Sequence, residues 1–187
     1  MVKVKVLIIG YTSADNPESE SERTCSTVTL VQDKGFNMVI DPGVMGDVNQ
    51  LISALAENGL KPADINMVGL THSHIDHYRN LGLFPQAKVL EYYGIWDNDT
   101  VEDRPENLSP SLKIIETPGH SREGITFLAE TESGTVAVCG DVFWEENLPE
   151  KDPYADDPAA LAHSRQQVMD ASDWIIPGHG DIYKTKK

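Results

Sequence analysis

Three histidines and an aspartate occupy six positions of the stretch GLTHSHIDHYRN (69–80): His72, His74, Asp76 and His77. Imidazole nitrogens and carboxylate oxygens are the donors that hold first-row metal ions. A chain that only had to fold would have little use for so many at one turn. The close pairs His72/His74 and Asp76/His77 can face different directions, so one segment can serve two ions. The remaining donors fall in like places. His120 lies in TPGH, Asp141 in CGD and His179 in PGHG, each just after an apolar stretch that reads as a strand. Five of the six histidines therefore sit at such junctions, beside Gly or Pro, which fix sharp turns. If the strands are neighbours, these turns converge at one sheet edge. The resulting donors are too many for one tetrahedral ion and suit two. The sixth histidine, His163, lies mid-helix in LAHSRQQ and reads as a surface residue.

The elements that must bring these turns together follow from periodicity. VKVKVLII (2–9) alternates like a strand, and TVTLVQ (27–32) with NMVID (37–41) reads as a hairpin about DKG. Asp47 can cap a helix whose Val48, Leu51, Ile52 and Leu55 recur at three and four, ended by NGLKPADI. Strands follow at MVGL (67–70), KVLE (88–91) and LKIIE (112–116), then a hairpin of GITFLAE (124–130) and TVAVCG (135–140). Asp157 and Pro158 begin a helix running to about Ser172, and WIIP (174–177) is read as the last strand. Hairpins with two helices predict an α/β fold with its strands in two mixed sheets. No repeat, linker or boundary divides residues 1–187, which read as a single domain.

The composition, 40% apolar and 24% charged, is that of a globular chain with no membrane-length apolar run. The N-terminus lacks a cleavage site, and Cys25 and Cys139 lie far apart, which fits reduced, buried thiols and a cytoplasmic setting. The net charge is −15, concentrated in 11–26 (four acids, one base), 91–110 (six, one) and 143–157 (six, one), all read as irregular loops. Such a surface repels polyphosphates and anionic membranes, although acidic loops also serve solubility alone.

The motifs THSHIDH, TPGH, CGD and PGHG, in that order, resemble the metallo-β-lactamase superfamily over nearly the whole chain. The resemblance implies an αββα sandwich, two mixed β-sheets flanked by helices, with metals at one edge. Carried over residue by residue, it implies that His72, His74 and His120 bind a first ion. Asp76, His77 and His179 would bind a second, with Asp141 bridging. Asp41, in VIDPG, matches the family's early strand-end aspartate, which supports the site from behind the ligands. Thr71 reads as a turn residue beside it. NLGLFP (80–85), GDVF (140–143) and residues 156–180 resemble the metallo-β-lactamase domain-containing protein 1 branch, whose relatives are linked to RNA processing. The intact His74 departs from diiron relatives, which carry glutamate there. DHYRN departs from the DHxGG of glyoxalase II relatives. The glutathione-holding helices of that group and the insert of nucleic-acid-processing relatives find no counterpart here.

The implied chemistry is hydrolysis at a dinuclear site. Two divalent ions can hold a bridging hydroxide at neutral pH that attacks a carbonyl or phosphoryl centre, with Asp76 orienting it or accepting its proton. Ser73 would lack a free base, because each nearby histidine is better used on metal. Zinc is the first choice for the nitrogen-rich donor set, with iron and manganese left open. The first substrate class is a small ester, thioester or lactone. The alternatives are a phosphodiesterase or ribonuclease acting on RNA, which the charge disfavours, and a metal-binding protein without turnover. Candidate substrate contacts are Arg79, Arg122, Tyr92 and Trp144, with Arg104 a further cation near the acidic segments. The aromatic residues either line a cleft or pin loops to the body. No membrane partner is expected, and a homodimer is left open.

Overall fold

A computed structural model of the chain describes residues 1–14, 21–146 and 148–185. The first half runs β1 (Lys3–Ile8), β2 (Tyr11–Thr12), β3 (Thr24–Cys25), β4 (Val28–Asp33), β5 (Phe36–Ile40), α1 (Asn49–Ala56), β6 (Met67–Gly69), α2 (Ile75–Tyr78) and β7 (Lys88–Leu90). It continues through β8 (Gly94–Asp97), β9 (Thr100–Asp103), β10 (Asn107–Ser109), β11 (Leu112–Glu116), β12 (Ile125–Thr131), β13 (Gly134–Val138), α3 (Pro158–Ala171), β14 (Trp174–Ile176) and β15 (Tyr183–Lys184). One sheet has the order β1-β4-β5-β6-β7-β8-β9 and the other β10-β11-β12-β13-β14-β15, while β2 pairs with β3 alone. Both large sheets are mixed: β5–β6, β6–β7 and β13–β14 are parallel and the remaining pairs antiparallel.

Strand alternation sorts the side chains into layers. Met38 and Ile40 of β5, Phe127 of β12 and Val136 and Val138 of β13 meet between the sheets. Val39 points the other way, onto Leu51 and Leu55 of α1. Ala137 and Ile175 likewise pack on Leu161 and Val168 of α3. The layers are therefore helix, sheet, sheet, helix, the αββα sandwich, and strands buried on both faces account for the nearly unbroken apolar runs.

Local signals mostly match this order. Asp157 caps α3 as expected, accepting from Ala159 N and Ala160 N. The DKG hairpin turns with Lys34 and Gly35 both at positive φ. Asp47 accepts from Asn49 N, so it bonds the first turn of α1, although Val48 formally precedes the helix. Three expectations need correction. Segment 91–110 is not a loop: it contains the hairpin β8–β9, with β9 exposed throughout at the sheet edge, and then β10. Its acids read as loop but are those of a guarded edge, where charge discourages pairing with another chain. Within 11–26, β2 and β3 form a small ribbon, while the acids Asp15, Glu18 and Glu20 lie outside the described residues. WIIP is not the last strand, because β15 adds antiparallel to β14. Among the described residues no helix is long and apolar enough to cross a membrane.

Candidate metal centre

The parallel pairs β5–β6 and β13–β14 end at the same edge of the sandwich, and their following turns carry the donors. Asp41 follows β5, Thr71 and His72 follow β6, Asp141 follows β13, and His179 follows β14. α2 begins immediately after His74 and turns Asp76 and His77 inward, where both are buried. All seven expected donors converge. His72, His74, His120 and Asp141 form one group and Asp76, His77 and His179 another, and within each group the donor atoms lie within 4.8 Å of one another. Asp141 stands between them. Its Oδ1 is 3.2 Å from both His77 Nε2 and His179 Nε2, and its Oδ2 is 3.3 Å from His120 Nε2.

Four imidazoles share one arrangement, with Nδ1 tied outward and Nε2 facing in. Thr71 Oγ1 donates to Asp41 Oδ2 at 2.7 Å, so it accepts from His72 Nδ1 at 3.1 Å. His77 Nδ1 donates to Asp41 Oδ2 at 2.8 Å. His120 Nδ1 donates to Asp152 Oδ2 at 2.6 Å, and His179 Nδ1 to the Cys25 carbonyl at 3.1 Å. Each outer acceptor takes a hydrogen bond from Nδ1 and turns Nε2 inward, the usual orientation of a metal-binding histidine, which gives up any proton on Nε2 when a metal binds. His74 differs: it is exposed, and its Nδ1 points inward, 3.0 Å from His120 Nε2.

Asp41 holds much of this in place. It adopts φ +49°, a left-handed conformation that costs an ordinary residue energy, and its carboxylate accepts from Thr71 N, Thr71 Oγ1 and His77 Nδ1. Two glycines are required by close approach. A Cβ on Gly178 would lie 1.9 Å from Asp141 Oδ1, and one on Gly140 2.2 Å from Thr71 Oγ1.

Donor chemistry and packing fit bound metal cations. Among the described residues His72 Nε2, His77 Nε2 and Asp141 Oδ1 are buried polar atoms without a hydrogen-bond partner, and all three face the centre. Buried groups of this kind are rarely left unsatisfied, and a metal ion satisfies them. The electrostatics agree. Burial and the neighbouring His77 hold His72 well below the ordinary histidine range, and burial with His120 lowers His74. Burial also opposes charge on His77, but Asp141 and Asp41 outweigh it and hold that ring well above the ordinary range. Asp141 in turn overcomes the burial cost on His179 and raises it. The buried carboxylates thus call for positive charge between them.

A cavity of about 400 Å³ opens onto both groups, lined by His74, Asp76, His120, Asp141 and His179. Its outer wall is Thr12, Ala14, Glu22, Thr24, Ile75, Trp144 and Tyr154, so among the described residues it contains neither Lys nor Arg. Trp144 is buried and stacks on Tyr154, whose hydroxyl donates to Glu22. Arg79 and Arg122 are exposed and stand outside this lining. Tyr92 lines a separate recess with His72, Ser73, Tyr93, Glu91 and Glu123. Arg104 is engaged with Glu116 at 2.7 Å and the Tyr92 carbonyl at 2.8 Å. His163 is exposed, and both cysteines are buried and free. Sequence reasoning missed Thr24, whose Oγ1 donates to Asp76 Oδ2 at 2.8 Å, and the buried Asp152. Neither lies in a motif, and each reaches its partner across more than thirty residues.

Residues 25–105 match the model of the Metallo-beta-lactamase superfamily. Metallo-beta-lactamase domain-containing protein 1 of Rattus norvegicus is 37% identical over 97% of this chain and 86% of its own length. A solved metallo-beta-lactamase-type structure from Thermotoga maritima superposes with a TM-score of 0.76 at 24% identity, covering 98% of this chain and 99% of that one. An N-acyl homoserine lactone hydrolase, solved with its product N-hexanoyl-L-homoserine at the catalytic metal center, has a TM-score of 0.66 at 14% identity, covering 90% and 87%. With this fold, these motif positions and this donor set, the chain belongs to the metallo-beta-lactamase superfamily of metal-dependent hydrolases.

Proposed function

We propose that this chain is a dinuclear metal-dependent hydrolase of small, uncharged esters, thioesters or lactones. The observation that carries the reading is the set of inward Nε2 atoms around Asp141, where among the described residues His72 Nε2, His77 Nε2 and Asp141 Oδ1 are buried without a hydrogen-bond partner. His72, His74 and His120 would hold one divalent ion and Asp76, His77 and His179 the other, with one oxygen of Asp141 toward each. Five imidazoles and two carboxylates suit zinc first, and manganese or iron next. When bound, such ions supply Lewis acidity and lower the pKa of water.

The chain's own residues supply the rest. Asp41, Thr71 and the Cys25 carbonyl fix three imidazole orientations, so each Nε2 faces the centre before an ion arrives. Asp76 Oδ2 is held by Thr24, while its carboxylate lines the cavity, where it can orient a water or take its proton. Ile75, Ala14, Trp144 and Tyr154 give an apolar wall for an acyl group. Glu22, with no cation beside it in the wall, disfavours phosphodiesters. The lactone hydrolase of like fold supports the carbonyl over the phosphoryl reading.

The test is a paired assay on metal-replete protein: a thioester and lactone series against a phosphodiester and short single-stranded RNA, with chelated protein as control. We expect thioester or lactone turnover that chelation abolishes. Metal-dependent RNA or phosphodiester cleavage alone would overturn the substrate class, and equal rates before and after chelation would overturn the metal.

A further inference from the structure

Segment 143–157 reaches the centre through a residue that no motif contains. Asp152 has a side chain with 0% exposure, and both its oxygens are used: Oδ2 accepts from His120 Nδ1 at 2.6 Å and Oδ1 from Tyr154 N at 2.8 Å. The segment around it is tied down. Arg165 of α3 donates Nε to the Val142 carbonyl at 2.9 Å and Nη1 to the Glu150 carbonyl at 3.1 Å. His179 N donates to the Trp144 carbonyl at 2.7 Å, and Asp157 N to the Gly119 carbonyl at 2.9 Å. Asp152 is therefore a buried carboxylate on an anchored loop, aimed at one imidazole nitrogen.

We infer that Asp152 is the positioning residue of His120, a role that rests on the reading of His120 as a metal ligand. Its carboxylate keeps the proton on Nδ1, turns Nε2 toward His74 and Asp141, and makes that nitrogen a stronger donor. Asparagine cannot replace it without loss. An amide that turns its oxygen to His120 presents an N–H to Tyr154 N, two donors facing each other. The pairing also ties two functions to one loop, since Trp144 and Tyr154 of this segment form the cavity wall beside the ring that Asp152 orients. Asp152 does for the first donor group what Asp41 does for the second.

Zinc binding to metal-free protein, measured by chelator competition, tests this apart from turnover. Asp152→Asn should weaken one of two zinc equivalents by about 10- to 100-fold and leave the other near wild type. Tyr154→Phe, which cuts the bond to Glu22 from the same loop, should leave both unchanged, so loop damage alone does not mimic the effect. Wild-type affinity for both equivalents in Asp152→Asn would overturn the inference while the site reading stands. A wild-type protein that takes up no divalent ion would overturn both. Should Asp152→Asn fail to fold, nitrogen-15 histidine spectra of the zinc-loaded wild type decide. A slowly exchanging Nδ1 proton on His120, with Nε2 coordinated, is expected, and coordination through Nδ1 would overturn it.

Discussion

His74 and His77 are three residues apart and live in opposite surroundings. His77 has no exposed surface, its Nδ1 is locked on Asp41, and two carboxylates raise its pKa. His74 is partly open to solvent, no outer acceptor among the described residues fixes its tautomer, and the partial burial of its ring with the neighbouring His120 lowers its pKa. The difference extends to the groups they belong to. Asp76, His77 and His179 are all buried and braced by β3, β5 and the β6–α2 turn, whereas the other group, buried at His72, His120 and Asp141, is exposed at His74, although the cavity opens onto both. One donor group is wholly enclosed and the other reaches solvent through His74. Loss of a buried donor should therefore cost stability, and loss of His74 mainly metal affinity.

The strongest break of that contrast is Asp41→Ala. It leaves Thr71 N, Thr71 Oγ1 and His77 Nδ1 buried without acceptors. Removing one partner of a buried charged network costs about 3–5 kcal/mol, and alanine relieves none of the φ +49° strain. Denaturant unfolding of chelated protein should show this loss. An unchanged midpoint would mean that Asp41 is not the brace of the buried group.

Gly178→Ala should follow in size. Its Cβ would meet Asp141 Oδ1 at 1.9 Å, so the carboxylate between the two groups must move. Overpacking of this kind costs about 1–3 kcal/mol. Both zinc equivalents should weaken together in calorimetric titration, and selective loss of one would show that Asp141 serves a single group.

His120→Ala and His74→Ala sharpen the comparison from the other group, one at a buried donor and one at an exposed donor. Either should remove one ion and reduce turnover at least about 100-fold, the scale of a lost metal-activated step. The exposed His74 should change chelated-protein stability by less than about 0.5 kcal/mol, as surface substitutions do. Metal content by mass spectrometry with unfolding curves separates the two effects. Near-wild-type turnover in His120→Ala protein verified to lack one ion would remove His120 from the active centre.

The sequence was most legible where the signal is local or repeated. Asp157 caps α3 within three residues, and the four donor motifs each mark a turn after a strand, so their convergence was expected once those strands were taken as neighbours. The layers followed from the family resemblance, because Met38, Val39 and Ile40 alternate between two apolar surroundings and so read as one unbroken apolar run. Exposed strands were not: Thr100–Asp103 has no buried face, so its acids gave the composition of a loop. Supporting residues that act across the chain were harder still. Asp41 was legible through its VIDPG setting, whereas Asp152 and Thr24 stand in segments that look irregular and find their partners only in the folded sandwich.

The smallest expected effect concerns the cavity mouth. Glu22 is exposed, accepts from the Tyr154 hydroxyl, and gives a negative charge to a wall that has no cation among the described residues. Solvent screens such a charge, so it can bias substrates but not exclude them. Glu22→Gln should raise kcat/KM for a carboxylate-bearing thioester by no more than about 5-fold and leave its neutral counterpart unchanged. The gain should shrink as salt is added, because the Debye length falls from about 10 Å at 0.1 M to about 3 Å at 1 M. A gain that persists at high salt would point to shape, not charge. No change for either substrate would place the selective element deeper, at Trp144 and Ile75, and would leave the acidic surface without a part in choosing substrates.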